Sequence, residues 1–318
     1  LKINMNKILV AGGSGFIGSN LCEFLLNDTN NYVICLDNFS TGSKINIDHL
    51  SSNSNFKFIE HDICQKINIE VNQIYNLACP ASPIQYQRLP FETINACIDG
   101  SRNLLDVAKE NNATILQSST SEVYGDPLEH PQNESYFGNV NINGPRSCYD
   151  EGKRMAETIF FNYRDNYDID IRIARIFNTY GPNMENNDGR VISNFILQAL
   201  KGEDITIYGD GKQTRSFCYI DDMINGLTLL MNSNFSNPIN LGNDKEFSIL
   251  KAAEKIINLT NSKSKIVFKD FPENDPLKRK PDLSLARKEI KYNSKVTFSS
   301  GLEKTIVYFE EKLKVNNG

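Results

Sequence analysis

The sequence predicts an α/β protein: a doubly wound parallel sheet with a smaller C-terminal domain packed at the carboxyl edge of the strands. Three observations carry that expectation. Short apolar runs alternate with amphipathic stretches through the first half, the rhythm of parallel strands joined by crossover helices. The first apolar run leads straight into a glycine-rich turn that opens a helical pattern. Beyond about Asn178 the alternation gives way to turn-rich segments with short elements between them.

Taken in order, residues 7–11 read as the first buried strand and 16–26 as the helix after the turn. Strands follow at 32–36, 56–60 and 74–78, then a helix at 91–110 and a strand at 114–118. A helix at 149–167 and a strand at 169–176 continue the pattern. The later turns are Gly181-Pro182-Asn183, Tyr208-Gly209-Asp210-Gly211 and the stretch from Pro272 to Pro281. The expected division is 1–177 for the sheet domain and 178–318 mainly for the second, with some late segments returning to the first. No internal repeat or low-complexity segment interrupts this plan.

Composition narrows the function classes. With 318 residues, 40% hydrophobic and 23% charged, the chain is long enough to bury a large core. A net charge of -5 argues against general nucleic-acid binding, which calls for a basic face. No apolar run is long enough to span a bilayer, so no membrane partner is expected. Leu1 to Asn6 lacks the apolar stretch of a signal peptide, and Met5 reads as the native start with Leu1 to Asn4 as added residues. The 7 cysteines (Cys22, Cys35, Cys64, Cys79, Cys97, Cys148, Cys218) and 3 histidines (His49, His61, His130) show no metal-ligand spacing. That pattern reads as reduced thiols in a cytoplasmic setting, without a metal.

The turn after the first strand is Gly12-Gly13-Ser14-Gly15-Phe16-Ile17-Gly18. Glycines there let backbone N–H groups approach a pyrophosphate at a helix N-terminus. The pattern has the context it needs, a strand before, a helix after, and an acid closing the second strand. That acid is Asp37, 19 residues past Gly18. It suits the ribose hydroxyls and repels a 2′-phosphate, so a Rossmann-type site favouring NAD over NADP is expected. Asp62, after the third strand, is a candidate adenine partner.

Tyr149 and Lys153 are four apart on a helix and share a face. A free tyrosine titrates near ~10, and a neighbouring ammonium together with the positive nicotinamide is expected to draw that value down so that the phenol serves as a base. Many helices carry this spacing by chance. It gains meaning from Ser118-Ser119-Thr120 at the carboxyl end of the fifth strand, where ligands bind in such sheets.

The glycine loop, Asp37, Thr120 and Tyr149-x-x-x-Lys153 together resemble an extended short-chain dehydrogenase/reductase over roughly residues 7–290. The resemblance implies a tightly held NAD, a nucleotide-sugar substrate and transient oxidation at sugar carbon 4. It implies a cofactor site formed by Gly12, Gly15, Phe16, Ile17, Gly18, Asp37, Asn38, Ser40, Thr41 and Gly42, with Asp62, Ile63, Leu77, Ala78, Tyr149, Lys153, Thr179 and Arg190. It also implies a homodimer built through the helices near 91–110 and 149–167.

Three stretches are more specific: Asn76-Leu77-Ala78-Cys79-Pro80-Ala81-Ser82-Pro83, the run from Ser119 to Pro127, and Arg146-Ser147-Cys148-Tyr149-Asp150-Glu151-Gly152-Lys153-Arg154. They are similar to UDP-glucuronate decarboxylases, which make UDP-xylose, as are the runs from Arg175 to Pro182 and from Asp188 to Phe195. By that resemblance Thr120, Glu122, Tyr149, Lys153 and Arg215 are catalytic, with Arg215 recognising the substrate carboxylate. Pro80, Ser82, Tyr86, Ser121, Arg146, Asn178, Arg190, Val191, Asn194, Tyr208, Arg215 and Arg279 would hold the UDP-sugar, the arginines suiting its diphosphate. The segment holding Asp275, Pro276 and Arg279 to Asp282 fits the same family.

Two related activities compete. NDP-glucose 4,6-dehydratases carry an Asp-Glu pair after the threonine, where this chain has Ser121-Glu122. A serine hydroxyl is too weak an acid to protonate a departing hydroxyl, whereas carbon dioxide leaves without a proton. Nucleotide-sugar 4-epimerases usually lack a glutamate there. A purely NAD-sensing binding protein would have no use for a base, so the Thr120, Tyr149 and Lys153 set argues for an enzyme.

Overall fold

In the first strand, β1 (Asn6–Ala11), Ile8 and Val10 are buried on one face and Leu9 and Ala11 on the other, as a strand covered by helices on both sides requires. The computed structural model describes residues 5–186, 189–270 and 278–316. Leu1 to Asn4, Asp188, Asp275 and Pro276, all singled out in the sequence, lie outside those residues. After β1 the first half runs α1 (Phe16–Leu25), β2 (Asn31–Asp37), β3 (Phe56–Glu60), β4 (Gln73–Asn76), α2 (Pro83–Arg88), α3 (Pro90–Asn95), α4 (Ser101–Asn111), β5 (Thr114–Thr120), α5 (Ser147–Tyr167) and β6 (Ile171–Ile176). The second half adds β7 (Thr179–Tyr180), α6 (Val191–Lys201), β8 (Ile205–Tyr208), β9 (Thr214–Ser216), β10 (Cys218–Tyr219), α7 (Ile220–Met231), β11 (Pro238–Leu241), β12 (Glu246–Ser248), α8 (Ile249–Thr260), β13 (Ile266–Lys269), β14 (Lys278–Arg279), α9 (Ser284–Ile290) and α10 (Phe298–Asn316).

The main sheet has 7 strands in the order β11-β6-β5-β4-β1-β2-β3, and every pairing in it is parallel. Strand order reverses between β1 and β4. A crevice therefore opens at their carboxyl ends, where such sheets bind ligands. Helices α1 and α7 pack on one face and α4 and α5 on the other. The second half contributes β11 to the sheet edge, so the chain returns to the first layer after leaving it. Its own small sheets are β8 with β13 and β9 between β12 and β14. Among the described residues no helix is long and apolar enough to cross a membrane.

The sequence pattern over 91–110 predicts one helix, and the chain is helical throughout Pro90–Asn111, as α3, one π-helical turn at Ala96–Gly100, and α4. The short α2 precedes it; α2 and α3 each begin on a proline at the first helical position, where the missing N–H costs nothing. Close packing accounts for the turn. Gly100 lies against Ile63, whose Cγ1 would be 2.7 Å from any added Cβ, and Cys97 lies against Gly152 of α5.

One buried network fixes β5 relative to α5 and β6. Ser119 donates to Glu157 at 2.5 Å, and Arg175 pairs with the same carboxylate at 2.7 Å. Arg175 also donates to the Tyr124 hydroxyl at 3.1 Å, which donates to Asn240 at 2.8 Å. With every partner satisfied, such a network holds Thr120 and Lys153 in register.

Candidate active site

The cofactor end grows out of the β1–α1 turn. Gly12 adopts φ +76, a conformation that L side chains rarely take, and a Cβ there would also meet the Ala78 nitrogen at 2.7 Å. Gly15 caps α1, and a side chain on Gly18 would strike the Gly12 carbonyl. The result is a bare backbone rim at a helix N-terminus, shaped for phosphate. Asp37 is buried at the end of β2, and its carboxylate accepts N–H groups from Ser14 at 3.0 Å and Phe39 at 2.9 Å. Gly42 closes over it, with room for no side chain. The Ser14 hydroxyl is buried without a partner. Cradle and acid fit an adenine dinucleotide. Asp62 accepts the Cys64 N–H at 2.8 Å and so shapes the turn beside it.

The reacting end sits where β5 stops. Lys153, 3% exposed, donates to the Ser118 carbonyl at 2.8 Å. Tyr149, 7% exposed, stacks on Tyr86 with ring centroids 5.0 Å apart and planes within 8°. The Thr120 hydroxyl accepts the Glu122 N–H at 3.2 Å and hydrogen-bonds Tyr149. The hydroxyls of Ser82 and Tyr86 are buried without a partner.

The sequence expectation is a Tyr149 phenol lowered by Lys153 together with a positive nicotinamide. In the protein alone burial pushes that phenol well above its ordinary value, Cys79 adds to the rise, and the hydrogen bond with Thr120 opposes it. Lys153 directs its ammonium at the Ser118 carbonyl and stands 5.8 Å from the Tyr149 ring centroid.

Around Glu122 the structure gathers arginines. Burial alone would raise its carboxyl, but Arg279, Arg146 and Arg215 bring it down to about 2. Arg146 and Arg279 are ion-paired to it directly. Arg279, 2% exposed, also donates to the Gly125 carbonyl at 2.7 Å and to the Ser121 hydroxyl at 3.3 Å. The sequence reading groups Arg279 with the substrate-binding residues; in the structure it lines the cavity and contacts Ser121, Glu122 and Gly125. Strand pairing explains the position, because Arg279 on β14 is the register partner of Arg215 on β9. Arg215 donates to the Thr214 carbonyl at 2.9 Å.

A single cavity of about 1070 Å³ joins the two ends. Every residue singled out for the cofactor lines it: Gly12, Gly15 to Gly18, Asp37, Asn38, Ser40, Thr41, Gly42, Asp62, Ile63, Leu77, Ala78, Thr179 and Arg190 among them. So do Pro80, Ser82, Tyr86, Ser121, Arg146, Asn178, Val191, Asn194, Tyr208, Arg215 and Arg279. Arg190 caps α6 with its guanidinium 5.7 Å from the Phe16 ring centroid, which links the second half to the glycine loop. Sequence reasoning singled out Ser118 with Ser119 and Thr120 but missed that its carbonyl anchors Lys153. It also missed Asp150, a buried carboxylate beside Tyr149 whose Oδ1 has no partner. Only the tertiary fold reveals either role.

Fold and site together define the class, a dinucleotide-dependent enzyme of the extended short-chain dehydrogenase/reductase type. The NAD dependent epimerase/dehydratase family matches residues 8–242, and the chain belongs to that family. It is 49% identical over 308 residues to UDP-glucuronic acid decarboxylase 1 of Xenopus tropicalis, a match covering 97% of this chain and 73% of that one. UDP-glucuronic acid decarboxylase 3 of Arabidopsis thaliana is 51% identical over 296 residues, covering 93% and 86% respectively. Among solved structures, UDP-glucuronic acid 4-epimerase from Bacillus cereus, in complex with UDP-glucuronic acid and NAD, superposes with a TM-score of 0.87. That match has 29% identity and covers 96% of this chain and 99% of the epimerase.

Proposed function

We propose that this chain decarboxylates UDP-glucuronate to UDP-xylose, with NAD held in the cleft and recycled. The observation that carries the reading is the set of guanidiniums, Arg146, Arg215 and Arg279, converging on Ser121 and Glu122 beside Tyr149. A cationic wall next to the base suits a sugar bearing a carboxylate at carbon 6. The names of relatives at about half identity support the same substrate.

NAD, when bound, supplies the hydride acceptor and donor at sugar carbon 4. Tyr149 takes the proton of the carbon-4 hydroxyl, and Thr120 orients that hydroxyl. Lys153 holds the Tyr149 side of the cleft cationic. Once carbon 4 is a ketone it accepts the electron pair of the breaking bond to the carboxylate, so carbon dioxide leaves without a general acid. Ser121 therefore suffices where loss of water would need a stronger acid. Arg215 and Arg279 orient the carboxylate, and Glu122 keeps their charge in place. The enzyme is cytoplasmic in this reading. Residues 1–177 form the dinucleotide half and 178–318 mainly the UDP-sugar half. It is a homodimer through the helix at 91–110 (α3 and α4) and α5, which carry the exposed apolar side chains Phe91 and Met155.

Product identification by mass or NMR tests the reading. UDP-glucuronate should give UDP-xylose and carbon dioxide, and UDP-glucose or dTDP-glucose should give no 4-keto-6-deoxy sugar. Conversion to UDP-galacturonate without loss of carbon would establish a 4-epimerase instead. Arg215→Ala should raise the barrier for UDP-glucuronate by roughly 2–4 kcal/mol.

A further inference from the structure

Three thiols lie near the reacting end of the cleft, and two of them touch. Cys79 follows β4 on the loop that faces the glycine turn. It is partly exposed and lines the cavity. Cys97 lies behind it, buried in the π-helical turn between α3 and α4. Their sulfurs are 3.6 Å apart. A disulfide needs about 2.05 Å, a closure of about 1.5 Å that side-chain rotation on a loop residue can supply. Gly152 on α5 supports Cys97 from the other side, with no side chain between them.

We propose that Cys79 and Cys97 form an oxidisable pair, in which Cys79 attacks a hydroperoxide that enters the cleft and Cys97 closes the product into a disulfide. The Cys79 thiolate displaces hydroxide from the peroxide, forming an S–O bond as the O–O bond breaks. The Cys97 sulfur then attacks the sulfenic acid, forming the S–S bond as the S–O bond breaks, and its proton leaves with the hydroxide as water. Two thiols lose two electrons and one hydrogen peroxide becomes two waters.

Position assigns the roles. Cys79 is partly exposed and lines the cavity, so a peroxide reaches it first, while Cys97 is buried behind it. The contact with Cys97 and the Lys153 ammonium both favour the Cys79 thiolate. Cys79 is thus the attacking thiolate and Cys97 the resolving thiol. Cys64, which also lines the cavity, is pushed by burial up to about 12 and serves as an internal reference. A bridge would tie the loop after β4, part of the cofactor rim, to the turn packed on α5.

The test is peptide mapping of the NAD-loaded protein after hydrogen peroxide at pH 7. It should yield a Cys79–Cys97 linked peptide that a thiol reductant reverses. Cys79 should react at least about tenfold faster than Cys64. In Cys97→Ser, dimedone should trap Cys79 as a sulfenic acid. Unchanged alkylation of both cysteines in the wild-type protein after peroxide would overturn the proposal, and so would a bridge from Cys79 to Cys148. The wild-type mapping stands even if the variant fails to fold.

Discussion

Glu122 keeps a buried negative charge because Arg279 and Arg146 are ion-paired to it and Arg215 stands close by. Its carboxyl falls from an ordinary 4.5 to about 2. A depressed acid stabilises the fold fully above its unfolded value, and that contribution drains away as pH falls from about 4.5 toward 2. The shift corresponds to roughly 3 kcal/mol. Glu122→Gln should therefore lower unfolding free energy by about that much at pH 7 and by less at pH 3.5, read from urea midpoints at the two pH values. A penalty independent of pH would assign the loss to packing. Tyr149→Phe keeps the ring stacked on Tyr86 and removes the hydroxyl; turnover should fall at least ~100-fold while NAD still binds. Near-normal turnover would remove Tyr149 from its role. The sequence made Tyr149 and Lys153 legible because one helix sets their spacing. It could not show Glu122 against Arg279, which lie 157 positions apart and meet only through the pairing of β9 with β14.

At the scale of elements, the strands were legible because apolar runs with turn residues at their ends have few other readings. The π-turn inside the helix at 91–110 was not, since nothing local marks Ala96–Gly100; Gly100 packs on Ile63 there and Cys97 on Gly152. Helix α5 carries a second hidden feature. Asp150 lies in its first turn, where the helix dipole favours a negative charge. Burial outweighs that preference: it and the Glu122 charge raise the carboxyl from 3.8 to about 7, against Arg146 and Arg279. A raised acid binds more protons folded than unfolded between those values, so stability falls as pH rises through that window. Asp150→Asn should relieve the cost, stabilising the fold by about 2–4 kcal/mol at pH 8 and by less at pH 5. Thermal melts of both proteins at both pH values check this; destabilisation at pH 8 would show that the Asp150 charge is needed where it lies.

For the whole molecule, the cleft is where the two halves of the chain meet. Gly12, Gly15 to Gly18 and Asp37 come from the sheet, Arg190 and Asn178 from the segment beyond it, and all face one cavity. A dinucleotide bridging these parts binds the folded state and not the unfolded chain, so it stabilises the entire fold by mass action. At a free concentration 100 times Kd the gain is about 2.7 kcal/mol. Asp37 is the residue expected to set selectivity. Its carboxylate is buried, fixed by two backbone N–H groups and closed in by Gly42. A 2′-phosphate would place like charge against it with little water to screen the repulsion. Protein stripped of cofactor should thus melt several degrees higher with saturating NAD, and show little shift with NADP at the same concentration. Asp37→Asn removes the repelling charge but keeps an acceptor for ribose, so it should narrow the gap between the two dinucleotides. Equal shifts from NAD and NADP with the wild-type protein would show that Asp37 does not set the choice.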